Sequence, residues 1–174
     1  MKIKSFLLFA VLLALFSACK KSKIKKQITG KWVVTAMYTD ESDLLLKTKK
    51  GKFFATLCDT VTFERQEKLY SELVFDENEK YTRTEKITIQ YLDTSASRIQ
   101  CEAVYSDSII NIIEEGKWRF EGKETLELLG NNKDYEGNKM IAINDNEMEW
   151  QTDLIVDQGL VVFTGIKTTK LTKQ

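Results

Sequence analysis

The sequence predicts an all-β domain, an antiparallel up-and-down meander that closes into a barrel, with a two-sheet β-sandwich as the alternative. Three observations carry this. Apolar residues recur at every second position through most of the chain. Beyond the first 18 residues no run of 11 holds a helical period, and the alternating runs are separated by short turns rich in Gly, Asn and Asp. Eight to ten such strands in series tend to curl, because closing the sheet removes its unpaired edges.

The first element is not a strand. Lys2 and Lys4 precede an uncharged apolar run, Phe6 to Phe16, which is the layout of a secretory signal. Its length of about 11 residues falls short of the roughly 20 that a membrane-spanning helix needs. Ser17 and Ala18 before Cys19 resemble the lipobox of bacterial lipoproteins, with Phe16 where leucine is usual. That resemblance implies cleavage before Cys19, lipidation of its thiol and amine, and palmitate among the attached chains. The alternative is an ordinary cleaved signal that a cysteine happens to follow. On this reading residues 1–18 are signal, 19–27 a lipidated basic tether and 28–174 one domain. Lys20, Lys21, Lys23, Lys25 and Lys26 crowd the tether, and lysines near an anionic lipid surface each gain about 1 kcal/mol; a solvated spacer is the other reading.

In the domain, Gly30-Lys31-Trp32 opens the first strand, which places Trp32, Val34, Ala36 and Tyr38 on one face. Leu44 to Leu57 is open between a hairpin turned at Lys50-Gly51 and a short helix. Thr60 to Glu64 reads as a short strand, then Leu69, Leu73 and Phe75 alternate with Tyr70, Glu72 and Val74 up to a turn at Asp76–Glu79. Lys80 to Tyr91 is a long strand with Tyr81, Ile87 and Ile89 on one side. Gln100 to Tyr105 and Ser108 to Glu121 form the next pair, the second placing Ile110, Ile112, Trp118 and Phe120 together. Glu121-Gly122-Lys123 turns into Leu126 and Leu128, Gly130 to Asp134 is a loop, and Met140 to Ile143 is a strand. Met148, Trp150 and Leu154 face in on the next strand, and Leu160 to Leu171 closes the chain after a turn at Asp157-Gln158-Gly159.

Composition narrows the function. The chain has 174 residues, 43% of them hydrophobic, and three tryptophans, enough for one packed core. Setting aside the seven lysines of the signal and tether leaves 19 of the 26 basic residues against 26 acidic ones. An acidic body offers no face to phosphates, so nucleic acid is not an expected partner. With no histidine, Ser-His-Asp triads, Cys-His dyads and imidazole metal sites are excluded.

Gly30-Lys31-Trp32 and a second copy, Gly116-Lys117-Trp118, resemble the G-x-W signature of lipocalins. Two copies behind a lipoprotein signal look like the lipocalin-like lipoproteins of Bacteroidetes. The resemblance implies that Gly30, Trp32, Gly116 and Trp118 plug the barrel. It also implies a body held in the cell envelope, anchored in the outer membrane and facing the periplasm, since surface export in those lipoproteins goes with acidic residues after the cysteine. The chain departs from the lipocalin pattern in two places. No T-D-x-x-Y motif is found, and no arginine follows Arg119 to cover the first tryptophan.

Once Cys19 is lipidated, Cys58 and Cys101 are the cysteines left. An even pair in an oxidising compartment reads as a disulfide, with two free thiols as the alternative. Redox chemistry would want C-x-x-C. Arg83 and Glu85 share parity with Tyr81 and Ile87 and so are cavity candidates; they would hold a polar ligand group, satisfy each other, or sit beyond the rim. Asp76–Glu79 and Asn144–Glu147 are rich in oxygens but lack calcium-loop spacing, so neither a metal nor a cofactor is expected. The expected function is a monomeric, non-enzymatic, membrane-anchored module that binds a small apolar or amphipathic ligand. Its cavity candidates are Val34, Tyr38, Arg83, Glu85, Ile87, Ile89, Phe120 and Trp150, with Trp118 beside them. The rival is a structural or protein-interaction lipoprotein whose barrel those side chains fill.

Overall fold

A computed structural model describes residues 22–39, 42–122, 124–130, 135–157 and 162–174. In chain order these form helix α1 over residues 22–28, β1 (Gly30–Thr39), β2 (Ser42–Asp43), β3 (Leu46–Ala55), β4 (Asp59–Phe75), β5 (Lys80–Leu92) and helix α2 (Thr94–Gln100). There follow β6 (Tyr105–Glu121), β7 (Thr125–Leu129), β8 (Tyr135–Ile143), β9 (Glu147–Asp157) and β10 (Val162–Lys173). The signal segment, Cys19 and its lipidation lie outside the described residues. Among the described residues no helix is long and apolar enough to cross a membrane.

All strand pairings are antiparallel, in the order β2-β1-β10-β9-β8-β7-β6-β5-β4-β3. β1 then turns back onto β4, with Gly30 opposite Phe75 and Val33 opposite Glu72. That pairing closes eight strands, β1 and β4 to β10, into the expected up-and-down barrel and leaves β2 and β3 outside the ring. A sandwich would leave its sheets open at these edges.

The closed end holds the core. Trp32, Leu73, Phe75, Trp118, Leu126, Leu128, Met148, Trp150 and Leu171 are buried there, each such side chain contributing about 1.5–3 kcal/mol by leaving water. Phe75 meets Trp118 edge to face at 5.8 Å, the arrangement favoured by the ring quadrupoles. α1 seals this end from below. Ile28 is fully buried and Ile24 packs on the core, so from residue 22 onward the segment read as tether is a helix docked on the barrel.

Several local readings are corrected. A β-bulge between Val34 and Ala36 shifts the alternation of β1, because one extra residue flips every later side chain. Met37 therefore packs inward, and Tyr38, expected in the cavity, is 39% exposed on the other face. Leu46 to Ala55 is a single strand, so neither the helix nor the Lys50-Gly51 turn forms. The strand expected from Gln100 to Tyr105 is instead the end of α2 and a turn. Asp93 caps α2, its carboxylate accepting from the Ala96 N–H at 2.9 Å, and Cys101 ends it in the left-handed region at φ 60°.

The far end opens. The β4–β5 ladder runs from Phe75 opposite Tyr81 to Glu67 opposite Ile89 and stops. Beyond it β4 continues with β3, and β5 with β6, as two separate arms. Side chains serve donors that the ladder leaves behind: Gln66 N–H donates to Gln90 Oε1 at 3.1 Å and Glu64 N–H to Tyr105 Oη at 2.8 Å. The Cys58–Cys101 disulfide, Cα to Cα 5.4 Å, ties the tips of the arms.

Candidate functional site

The barrel interior is layered. At the bottom, the two G-x-W motifs lie together in the plug. Trp32 Nε1 donates to the Ile28 carbonyl at 2.6 Å. Gly30 has φ +130°, and a Cβ there would strike the Lys173 side chain; at Gly116 a Cβ would strike the Leu129 carbonyl and the Tyr81 ring. Both positions thus require glycine. The cover that the sequence lacked as an arginine is supplied by Lys173. Its ammonium sits 5.2 Å from the centre of the Trp32 ring and donates to the Gln27 carbonyl at 2.9 Å. Lys25 lies likewise 6.0 Å over Trp118, paired to Glu79 at 2.9 Å. Of the cavity candidates, Val34 and Trp150 are buried in this plug and Phe120 packs against it.

Above the plug comes a charged layer. Arg83 faces inward as its parity requires, but its partner is not Glu85. Nη1 meets Glu114 and Nη2 meets Glu136, each at 3.2 Å, and Lys167 reaches Glu136 from β10 at 3.4 Å. Burial opposes charge on Arg83, yet the carboxylates of Glu136 and Glu114 outweigh it and hold the guanidinium above its usual value. Burial likewise opposes charge on Glu136, and Arg83 and Lys167 reverse it, holding the carboxyl below the usual range. Glu136 therefore stays ionised at neutral pH and is no proton donor. Burial and then the nearby Glu114 push the Tyr81 phenol up to about 12. Asn138 donates to the Glu136 and Leu126 carbonyls and accepts from Thr152 Oγ1 at 2.6 Å. Among the described residues, the buried Trp118 Nε1 and Thr169 Oγ1 lack a hydrogen-bond partner.

The mouth is largely apolar, with Glu85, opposite Ser71 and Ile112, as its charged member. Leu69 opposes Ile87 across β4 and β5, and Ile87 opposes Ile110 across β5 and β6, so all three share the inward face with Ile89 and Ile112. Ile110 and Ile112 are 43% and 44% exposed although they face in. On its other side β6 is paired to β7 over Lys117 to Glu121 among the described residues, which leaves this upper wall open to water.

The two oxygen-rich corners are occupied with turns. Asp76 Oδ1 accepts from the N–H groups of Asn78 and Lys80, and Asn144 Oδ1 from those of Asn146 and Glu147. Among the described residues no cluster of His, Cys, Asp and Glu has the makings of a metal site. No family model and no curated protein matches the chain.

Proposed function

We propose that this protein is a lipid-anchored, non-enzymatic lipoprotein of the lipocalin-like type that takes a small apolar or amphipathic ligand into the mouth of its barrel. The observation that carries the reading is the inward pair Ile110 and Ile112, each more than two-fifths exposed. Apolar surface on the wall of a concavity is what an apolar ligand removes from water. The layer below is self-neutralised, which suits a floor, and Glu136 is tied to two cations and so is unsuited to acid–base turnover. The lipobox-like Phe16-Ser17-Ala18-Cys19 supports the anchor, and the lysines after it favour a periplasm-facing position in the envelope.

Native mass spectrometry of the protein extracted from its own envelope tests the ligand. A co-purifying small molecule of defined mass, released by Ile112→Asp, is the expected result. A wild-type protein that carries none would assign the barrel to the structural rival. The anchor is tested separately: labelled palmitate should be incorporated into the wild type and not into Cys19→Ala.

A further inference from the structure

We propose that the split between the two arms binds the anionic head of an amphipathic ligand, whose apolar tail runs down the wall of the mouth. This rests on the ligand-binding reading above and adds the class of ligand. The split opens a cleft of about 350 Å³ whose lining includes Lys47, Lys49, Arg65, Glu67, Ile89 and Tyr91. Three cations thus face one carboxylate.

The arrangement of those cations is costly without an anion. Lys49 lies directly opposite Arg65 across β3 and β4, and like charges in register repel. Among the described residues neither has an ion-pair partner, and Arg65 is half-buried. On the same arm Glu67 lies opposite Lys47 at the cleft face, whereas Glu64 points the other way and pairs with Lys50 at 3.0 Å. A carboxylate or phosphate between Lys49 and Arg65 converts the repulsion into binding, and a guanidinium takes such a group through two parallel hydrogen bonds.

The charged layer inside the barrel makes no such demand. Arg83 and Lys167 are already matched to Glu114 and Glu136. The unmatched positive charge is therefore at the rim, and the head belongs there. From it, Tyr91, Ile89 and Ile87 lead down β5 over about 13 Å to Ile110 and Ile112 on β6. A negatively charged head at the split and an apolar tail below fit that order; a cationic head does not.

The test uses the intact, oxidised chain in phosphatidylcholine nanodiscs, with empty discs as blank, and calorimetric titration of laurate, lauryl phosphate and dodecanol. The wild type should bind both anions more tightly than the alcohol, with the difference shrinking at high salt. Lys49→Gln/Arg65→Gln should weaken the anions by about tenfold or more, leave dodecanol unchanged, and melt no lower than the wild type because a repulsion has been removed. Discs doped with phosphatidylglycerol separate the two sources of such a head. Competition with laurate would point to a bilayer lipid and its absence to a free acid, and either keeps the site. Equal binding of laurate and dodecanol, or laurate binding that ignores the double substitution, overturns the rim site alone. Failure of every chain-bearing probe overturns the ligand-binding reading itself.

Discussion

Arg83 shows how much a single residue carries inside this barrel. It is the shared partner of Glu114 and Glu136, so Arg83→Met leaves two partly buried carboxylates short of a counter-charge. We expect the substitution to lower unfolding free energy at pH 7 by about 2–3 kcal/mol, below the full buried-pair value because the carboxylates keep some contact with water. The effect depends on pH with a definite sign. The folded-state Glu136 titrates below its ordinary value of 4.5, so its ion pairs contribute stability above that value and lose it as pH falls through the depressed one. Urea melts of wild type and variant should therefore converge in acid; a gap that stays constant below pH 4.5 would contradict the assignment. At this scale the sequence was half legible. The alternation of β5 turned Arg83 inward, and Glu114 shares the parity of Ile110 and Ile112. Glu136 and Lys167 were not found, because the alternation before Met140 is interrupted by Gly137 and Asn138, and because a lysine on a closing strand is ordinarily solvated. Tyr38 was misplaced for a different reason: no residue type marks the bulge at Thr35, which arises from how β1 fits β10.

Among the elements, the two arms are the least self-sufficient. Each is a two-stranded ribbon beyond the ring, and such ribbons are marginal alone in water. The Cys58–Cys101 bridge spans 43 positions, and closing a loop of that size stabilises by about 4 kcal/mol in the chain-entropy model. Reduction, or Cys58→Ser with Cys101→Ser, should cost about that much in a denaturant melt while leaving the near-ultraviolet dichroism of the tryptophans unchanged, since Trp32, Trp118 and Trp150 sit in the plug. Loss of the aromatic signal on reduction would show that the arms and plug are one cooperative unit. The strands themselves were legible where one face is apolar and the other polar. β3 was not, since its Lys47, Thr48, Lys49, Lys50 and Lys52 give it no apolar face, and it is a strand because β4 provides an edge for it. α2 was missed because seven residues are too few for a helical period, and its signal was the cap Asp93-Thr94-Ser95 and not a pattern of hydrophobes.

For the molecule as a whole, closure is the event that defines the fold. The meander was readable from alternation and turn spacing, and the barrel followed from the need to hide edges. The docked α1 was not readable, since Lys23, Lys25 and Lys26 mask Ile24 and Ile28 within a run that looks solvated. A chain ending at Asp157 lacks β10, and with it Leu171 in the core and Lys173 over Trp32. We expect that truncation to show no cooperative thermal transition by far-ultraviolet dichroism, whereas a chain that melts sharply would mean that the remaining strands seal without it. The register Trp32 opposite Lys173 and Val34 opposite Leu171 also dictates timing. β1 must wait for β10, so the ring cannot close while β10 is still held in a ribosome. Until release, the edge of β1 that awaits β10 has to be kept from neighbouring chains, and pairings this distant along the backbone assemble slowly, in milliseconds to seconds.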